Sequence, residues 1–79
     1  MQSVEDRAKA MMPHGLWLQE RTRRIVIAML TEGKPMGAAT IQGKTGLWPR
    51  EVVRGLLALL KHDLVNRGDN GWFIKEGAD

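Results

Sequence analysis

The longest apolar run, Ile25-Val26-Ile27-Ala28-Met29-Leu30, sits inside a stretch from Leu16 to Glu32 whose pattern predicts one helix. Gly33, with Pro35 two residues later, supplies the stop. Val26, Ile27 and Leu30 fall at i, i+1 and i+4 and define a buried face, leaving Glu20, Arg21 and Arg24 in water. Because the run is apolar nearly all round, this helix is expected to be the central, most enclosed one. Upstream, Ser3-Val4-Glu5-Asp6 has the form of a helix start, with Ser3 as cap and acids in the first turn. That helix should stop before Pro13, which restricts the residue preceding it. Few of its residues are bulky and apolar, so residues 1–13 are expected to be a mobile tail or a helix that orders on a partner.

Met36 to Leu47 predicts a short helix and a tight turn, with Ala38, Ala39 and Ile41 small or apolar enough to pack closely. Gly46 can supply the positive φ that reverses the chain. Pro49 then stands where the first turn of a helix tolerates it. From there a leucine-rich helix runs to His62, with Val52, Leu56, Leu59 and Leu60 as its core face. The end of the chain changes character. Two short extended runs, Leu64–Arg67 and Trp72–Lys75, flank the turn-rich Gly68-Asp69-Asn70-Gly71, in which Asn70-Gly71 is a strong hairpin signal. Of the two aromatics there, Trp72 is expected to seal the hairpin onto the core; Phe73 alternates with it.

The fold class expected is therefore mainly α with a small β-hairpin. A three-helix core carries a two-stranded hairpin within residues 14–76, and 77–79 form a tail. Seventy-nine residues suit one domain. A chain of this size buries only about 60% of the surface its unfolded form exposes, so the core is modest. With no cysteine, disulfides and thiolate metal sites cannot reinforce it. No apolar stretch nears the roughly 20 residues that cross a bilayer, and the acidic, polar N-terminus is unlike a secretory signal. A cytoplasmic location is the expectation.

Charge sharpens the functional picture. The net charge is +3, but the stretch from Gly15 to Lys75 holds ten basic residues against five acids. A basic body with acidic ends suits a polyanionic partner, although solubility accounts for it equally well. Catalysis is not expected. His14 and His62 are isolated, and Asp63 and Asp69 form no recognisable acid–base pair. Gly43-Lys44-Thr45 matches the end of a phosphate-binding loop, but Ala38 stands where that motif requires its first glycine.

Helix, turn, helix, then hairpin is the order of the winged helix superfamily, and residues 23–75 resemble it. The likeness is to small prokaryotic regulators and to the Z-DNA-binding domains of adenosine deaminases. It rests on Glu32-Gly33-Lys34-Pro35 closing one helix and Ala38–Leu47 forming the second helix and its turn. Pro49-Arg50-Glu51-Val52-Val53-Arg54 opens the next helix, and Asp63-Leu64-Val65-Asn66-Arg67 leads into the wing. Val53 and Leu57 replace the asparagine and tyrosine of the Z-DNA readers, and Gly68-Asp69-Asn70 replaces their wing prolines, so left-handed DNA is not the implied ligand.

The resemblance implies double-stranded DNA binding by a recognition helix at 49–62 and a wing at 64–75, as in a transcriptional regulator or a replication or mobile-element protein. Arg50, Val53, Arg54 and Leu57, at i, i+3, i+4 and i+7, form the stripe opposite the core face. In helix-turn-helix docking such a stripe enters the major groove. Lys44 and Thr45 would meet phosphate, and Arg67, Asn70 and Lys75 would lie on or beside the wing. Arg21, Arg23 and Arg24 point in different directions on a helix and read as a solvated face. Trp17 and Trp48 could each mark an interface. The alternative is a protein-binding module that uses Val53, Leu57 and Trp48 as an apolar patch. A homodimer or another protein is thus a further possible partner, whereas membranes, metals and small-molecule cofactors are not expected.

Overall fold

The computed structural model describes residues 2–75, which form five helices and one hairpin. In chain order these are α1 (Val4–Met11), α2 (His14–Leu18), α3 (Glu20–Glu32), α4 (Ala38–Thr45), α5 (Pro49–Lys61), β1 (Val65–Gly68) and β2 (Gly71–Ile74). The mainly α fold class with a C-terminal antiparallel hairpin is the one the sequence predicts. The proposed domain end at residue 76 and the tail at 77–79 lie outside the described residues.

Helix α1 starts where Ser3 accepts a hydrogen bond from the Asp6 amide, with Glu5 and Asp6 in its first turn. It packs along α3 and buries Ala8, with Met12 beyond its end also buried. The segment is thus seated on its own chain.

The single helix expected from Leu16 to Glu32 is instead two. Gln19 takes an extended conformation (φ −82°, ψ 122°) between α2 and α3. Side chains from the first turn of α3 reach back to satisfy the carbonyls freed by the break. The buried Thr22 hydroxyl donates to the Leu16 and Gln19 carbonyls. Arg23 donates to the Trp17 carbonyl at 3.0 Å, with its guanidinium carbon 5.8 Å from the Trp17 ring centroid.

Helix α3 is central, touching α1, α2, α4, α5 and β2. Its core face is Thr22, Ile25, Val26 and Met29; Ile27 and Leu30, expected inside, are only half-buried. Helices α3 and α4 both end on left-handed glycines, Gly33 and Gly46. In α4 only Ile41 is buried, while Ala38 and Ala39 face water, contrary to expectation. Helix α5 begins with Pro49 in its first turn and buries Val52, Gly55, Leu56 and Leu59. Leu60, expected on that face, is exposed.

After α5 the chain turns through Asp63, whose φ of 63° is left-handed. The Leu64 amide reaches the Leu59 carbonyl and the Asp63 amide that of Leu60, the paired bonds of a Schellman termination. The hairpin pairs Val65 with Ile74, Asn66 with Phe73, Arg67 with Trp72 and Gly68 with Gly71. Its two-residue tip is therefore Asp69-Asn70, and the positive φ lies at Gly71 (120°) alone, not at Asn70 as the Asn-Gly signal implies. Val65, Trp72 and Ile74 turn towards the core, as predicted for Trp72.

One pairing has no sequence signature. Met36, between α3 and α4, forms an antiparallel bridge with Trp72: its amide donates to the Trp72 carbonyl at 2.9 Å and its carbonyl accepts from the Trp72 amide at 2.7 Å. The hairpin is thus anchored by main-chain bonds as well as by side-chain burial.

Candidate nucleic-acid interface

Burial of one face of α5 dictates what the other presents. With Val52, Leu56 and Leu59 against α3 and α4, a helix of 3.6 residues per turn turns Arg50, Val53, Arg54 and Leu57 outward. All four are exposed, Val53 by 51% and Leu57 by 55%. Lys61, one turn beyond Leu57, extends the same stripe. It is absent from the sequence-predicted set, although continuing the i, i+4, i+7 series by four would have found it.

Close contact with α3 holds this helix in place. Gly55 lies against α3 where a β-carbon would meet Ile25 Cδ1 at 2.5 Å and Arg21 Cγ at 3.7 Å. The absence of a side chain at 55 lets α5 sit deep on α3.

The remaining candidates divide by what they already contact. Lys44 is paired with Glu32 at 3.1 Å. Thr45 spends its hydroxyl on α4 and the turn after it, donating to the Ile41 carbonyl at 2.8 Å and accepting from the Leu47 amide at 3.3 Å. Its carbonyl accepts from Arg24, which also pairs with Glu20 at 2.9 Å. Lys75 binds Asp63 at 2.7 Å, tying the end of β2 to the turn after α5. By contrast, Arg50, Arg54 and Lys61 have no carboxylate within ion-pair distance among the described residues. Arg67 is exposed on β1, its guanidinium carbon 5.9 Å from the Trp72 ring centroid, and Asn70 is exposed at the hairpin tip.

Two of the three arginines of α3, Arg23 and Arg24, are engaged with their own chain rather than simply solvated. Arg24 is paired as described and Arg23 caps α2, while Arg21 is half-buried with its Nε enclosed and without a hydrogen-bond partner. Trp17 packs against the core; Trp48, at the entrance to α5, is 74% exposed. His14 and His62 are both exposed.

A groove of about 490 Å³ between α3 and α4 is lined by Ile27, Ala28, Thr31 and the paired side chains of Arg24, Glu32 and Lys44. Lys44 and Glu32 pair with each other across it, Arg24 is held by Glu20 and the Thr45 carbonyl, and the Thr31 hydroxyl donates to the Ile27 carbonyl. Among the described residues no helix is long and apolar enough to cross a membrane. No protein-family model, no curated protein and no solved structure matches this chain.

Proposed function

We propose that this chain is a winged helix-turn-helix domain that binds double-stranded DNA without catalysis, with α5 as the recognition helix and the β1–β2 hairpin as its wing. The observation that carries the proposal is the distribution of positive charge. Of the cations elsewhere, Arg24, Lys34, Lys44 and Lys75 are matched by carboxylates, Arg23 is held on the Trp17 carbonyl and Arg21 is half-buried. Arg7 and Lys9 on α1 and Arg67 on β1 are exposed and unmatched among the described residues. What distinguishes α5 is that three unmatched cations, Arg50, Arg54 and Lys61, share one exposed helix face, where they can meet an external anion together. An unpaired, exposed guanidinium can take phosphate or the guanine edge in bidentate fashion. The hairpin, held by the Met36–Trp72 bridge, supplies the fixed base that a wing requires.

In this role Arg50, Val53, Arg54 and Leu57 enter the major groove, and Lys61, Arg67 and Asn70 follow the backbone beside it. Lys44, Thr45 and Lys75 are subordinate, since each must first leave an internal partner; for Lys44 and Lys75 that costs no more than about 1 kcal/mol, as for other exposed ion pairs. The processes served are those of a DNA-binding regulator or of a replication or mobile-element protein, inside the cell. Titration with random duplex DNA, followed by NMR, tests the assignment. Shifts concentrated on α5 and the hairpin, weakening steeply with salt, are expected. Shifts absent, or confined to α1 and α2, would refute it.

One observation favours a second reading, a protein-binding module. Trp48, Val53, Leu57 and Leu60 are all exposed on or at the entrance to α5. Yet one helix of 13 residues offers a face only about 20 Å long, whereas stable protein interfaces take about 800 Å² from each partner. A protein partner, or a second copy paired on a palindromic site, would need further surface from another element. Under this second reading Val53→Asp abolishes the complex while duplex DNA leaves the NMR spectrum unmoved.

A further inference from the structure

Building on the DNA-binding proposal, we infer that α5 reads guanine together with the C5-methyl group of a neighbouring pyrimidine, so that its preferred duplex carries thymine, or 5-methylcytosine, beside guanine. The inference comes from which side chains α5 has and which it lacks.

The whole helix, Pro49–Lys61, contains no Asn, Gln, Ser or Thr, and its sole carboxylate, Glu51, is half-buried beside the core face. An amide is the side chain that binds adenine in bidentate fashion, and a carboxylate is the one that accepts from the cytosine amino group. Neither is presented. What is presented is guanidinium and hydrocarbon. Arg50 has Val53 one turn along, and Arg54 has Leu57 in the same relation. The same pair thus occurs twice, offset by four residues or about 6 Å of helix.

A guanidinium matches the O6 and N7 acceptors of guanine, and an aliphatic group one turn away matches a methyl on the groove floor. Val53 and Leu57 are each about half exposed, with no apolar neighbour among the described residues covering that half. A pyrimidine methyl would cover it. Thymine and 5-methylcytosine place that methyl at the same ring position, so the chemistry recognised is common to both.

The test uses the full chain and a random duplex library, from which a preferred duplex is enriched and resynthesised with deoxyuridine in place of thymidine. That exchange keeps sequence, pairing and phosphate charge and removes only methyl groups. Affinity is expected to fall about fourfold for each contacted methyl, from the hydrophobic contribution of one carbon, with the salt dependence unchanged. Exchanging a contacted thymine–adenine pair for cytosine–guanine should weaken binding, and methylating that cytosine should restore part of the loss. The double variant Val53→Ala, Leu57→Ala, changed only at exposed positions and checked for fold by circular dichroism, should bind thymine and uracil duplexes alike. Equal affinity of the native chain for the two duplexes, or failure to enrich any sequence, overturns methyl reading while salt-dependent duplex binding persists. Loss of that binding altogether overturns both this inference and the DNA-binding proposal.

Discussion

Gly71 stands directly against the main chain of Met36, so close that a β-carbon at 71 would lie 2.5 Å from the Met36 carbonyl carbon and 2.6 Å from its oxygen. Its φ of 120° is also one that side chains rarely tolerate. Gly71→Ala therefore meets strain and collision together, and the obstacle is backbone that cannot rotate away. A loss of about 2–4 kcal/mol is expected. Urea denaturation followed by tryptophan fluorescence measures it, and a loss below about 0.5 kcal/mol would show that the bridge is dispensable.

Gly55→Ala makes a different collision, because the obstacle is the tip of a side chain, Ile25 Cδ1. Better helix propensity returns about 1 kcal/mol, against roughly 1–3 kcal/mol for overpacking a tight interface. Net destabilisation of about 1 kcal/mol is expected. Ile25→Val removes the colliding carbon and alone costs about 0.5–1.5 kcal/mol. The two changes together should cost less than their separate costs combined. A double-mutant cycle showing plain additivity would remove the proposed contact.

Thr22→Val tests the break between α2 and α3. The hydroxyl serves two carbonyls in a buried position, and the Leu16 carbonyl would lose that donor. A cost of about 1–3 kcal/mol is expected, with faster amide exchange in α2 than in α5. Uniform change in exchange across the domain would argue against a local role.

Recognition by α5 predicts unequal penalties among the arginines. Replacing Arg50 and Arg54 together by alanine should weaken binding to an enriched duplex by at least tenfold, each bidentate guanine contact being worth about 1–3 kcal/mol. Arg24→Ala, which removes a side chain already paired with Glu20, should change affinity less than twofold to threefold, a difference of about half a kcal/mol. Fluorescence anisotropy at two salt concentrations separates the two cases. Equal losses would detach recognition from α5.

These positions also show what a sequence can and cannot reveal. Gly33, Gly46 and Pro49 punctuate helices through backbone restrictions of their own, so α3 and α4 end and α5 begins where the pattern predicts. The α5 stripe was equally legible, since a strongly one-sided leucine pattern leaves little choice of phase. Helix α3 was not: its run from Ile25 to Leu30 is apolar on most sides, and only packing selects Ile25 and Met29 over Ile27 and Leu30. The break at Gln19 carries no glycine or proline. Its cause is Thr22 and Arg23, whose side chains reach backward to carbonyls six residues earlier. At the hairpin, Asn70-Gly71 marks the turn but not its register, which places Gly71 in the strand and against Met36. That bridge involves one residue on each side and leaves no periodic trace.

Anchoring the hairpin through the peptide groups of Met36 and Trp72 separates where the ribbon is aimed from what it displays. Main-chain bonds persist whatever side chains occupy Asp69 and Asn70 at the tip. The two side chains of the tip can consequently be exchanged while Gly71 and the helical body are left untouched.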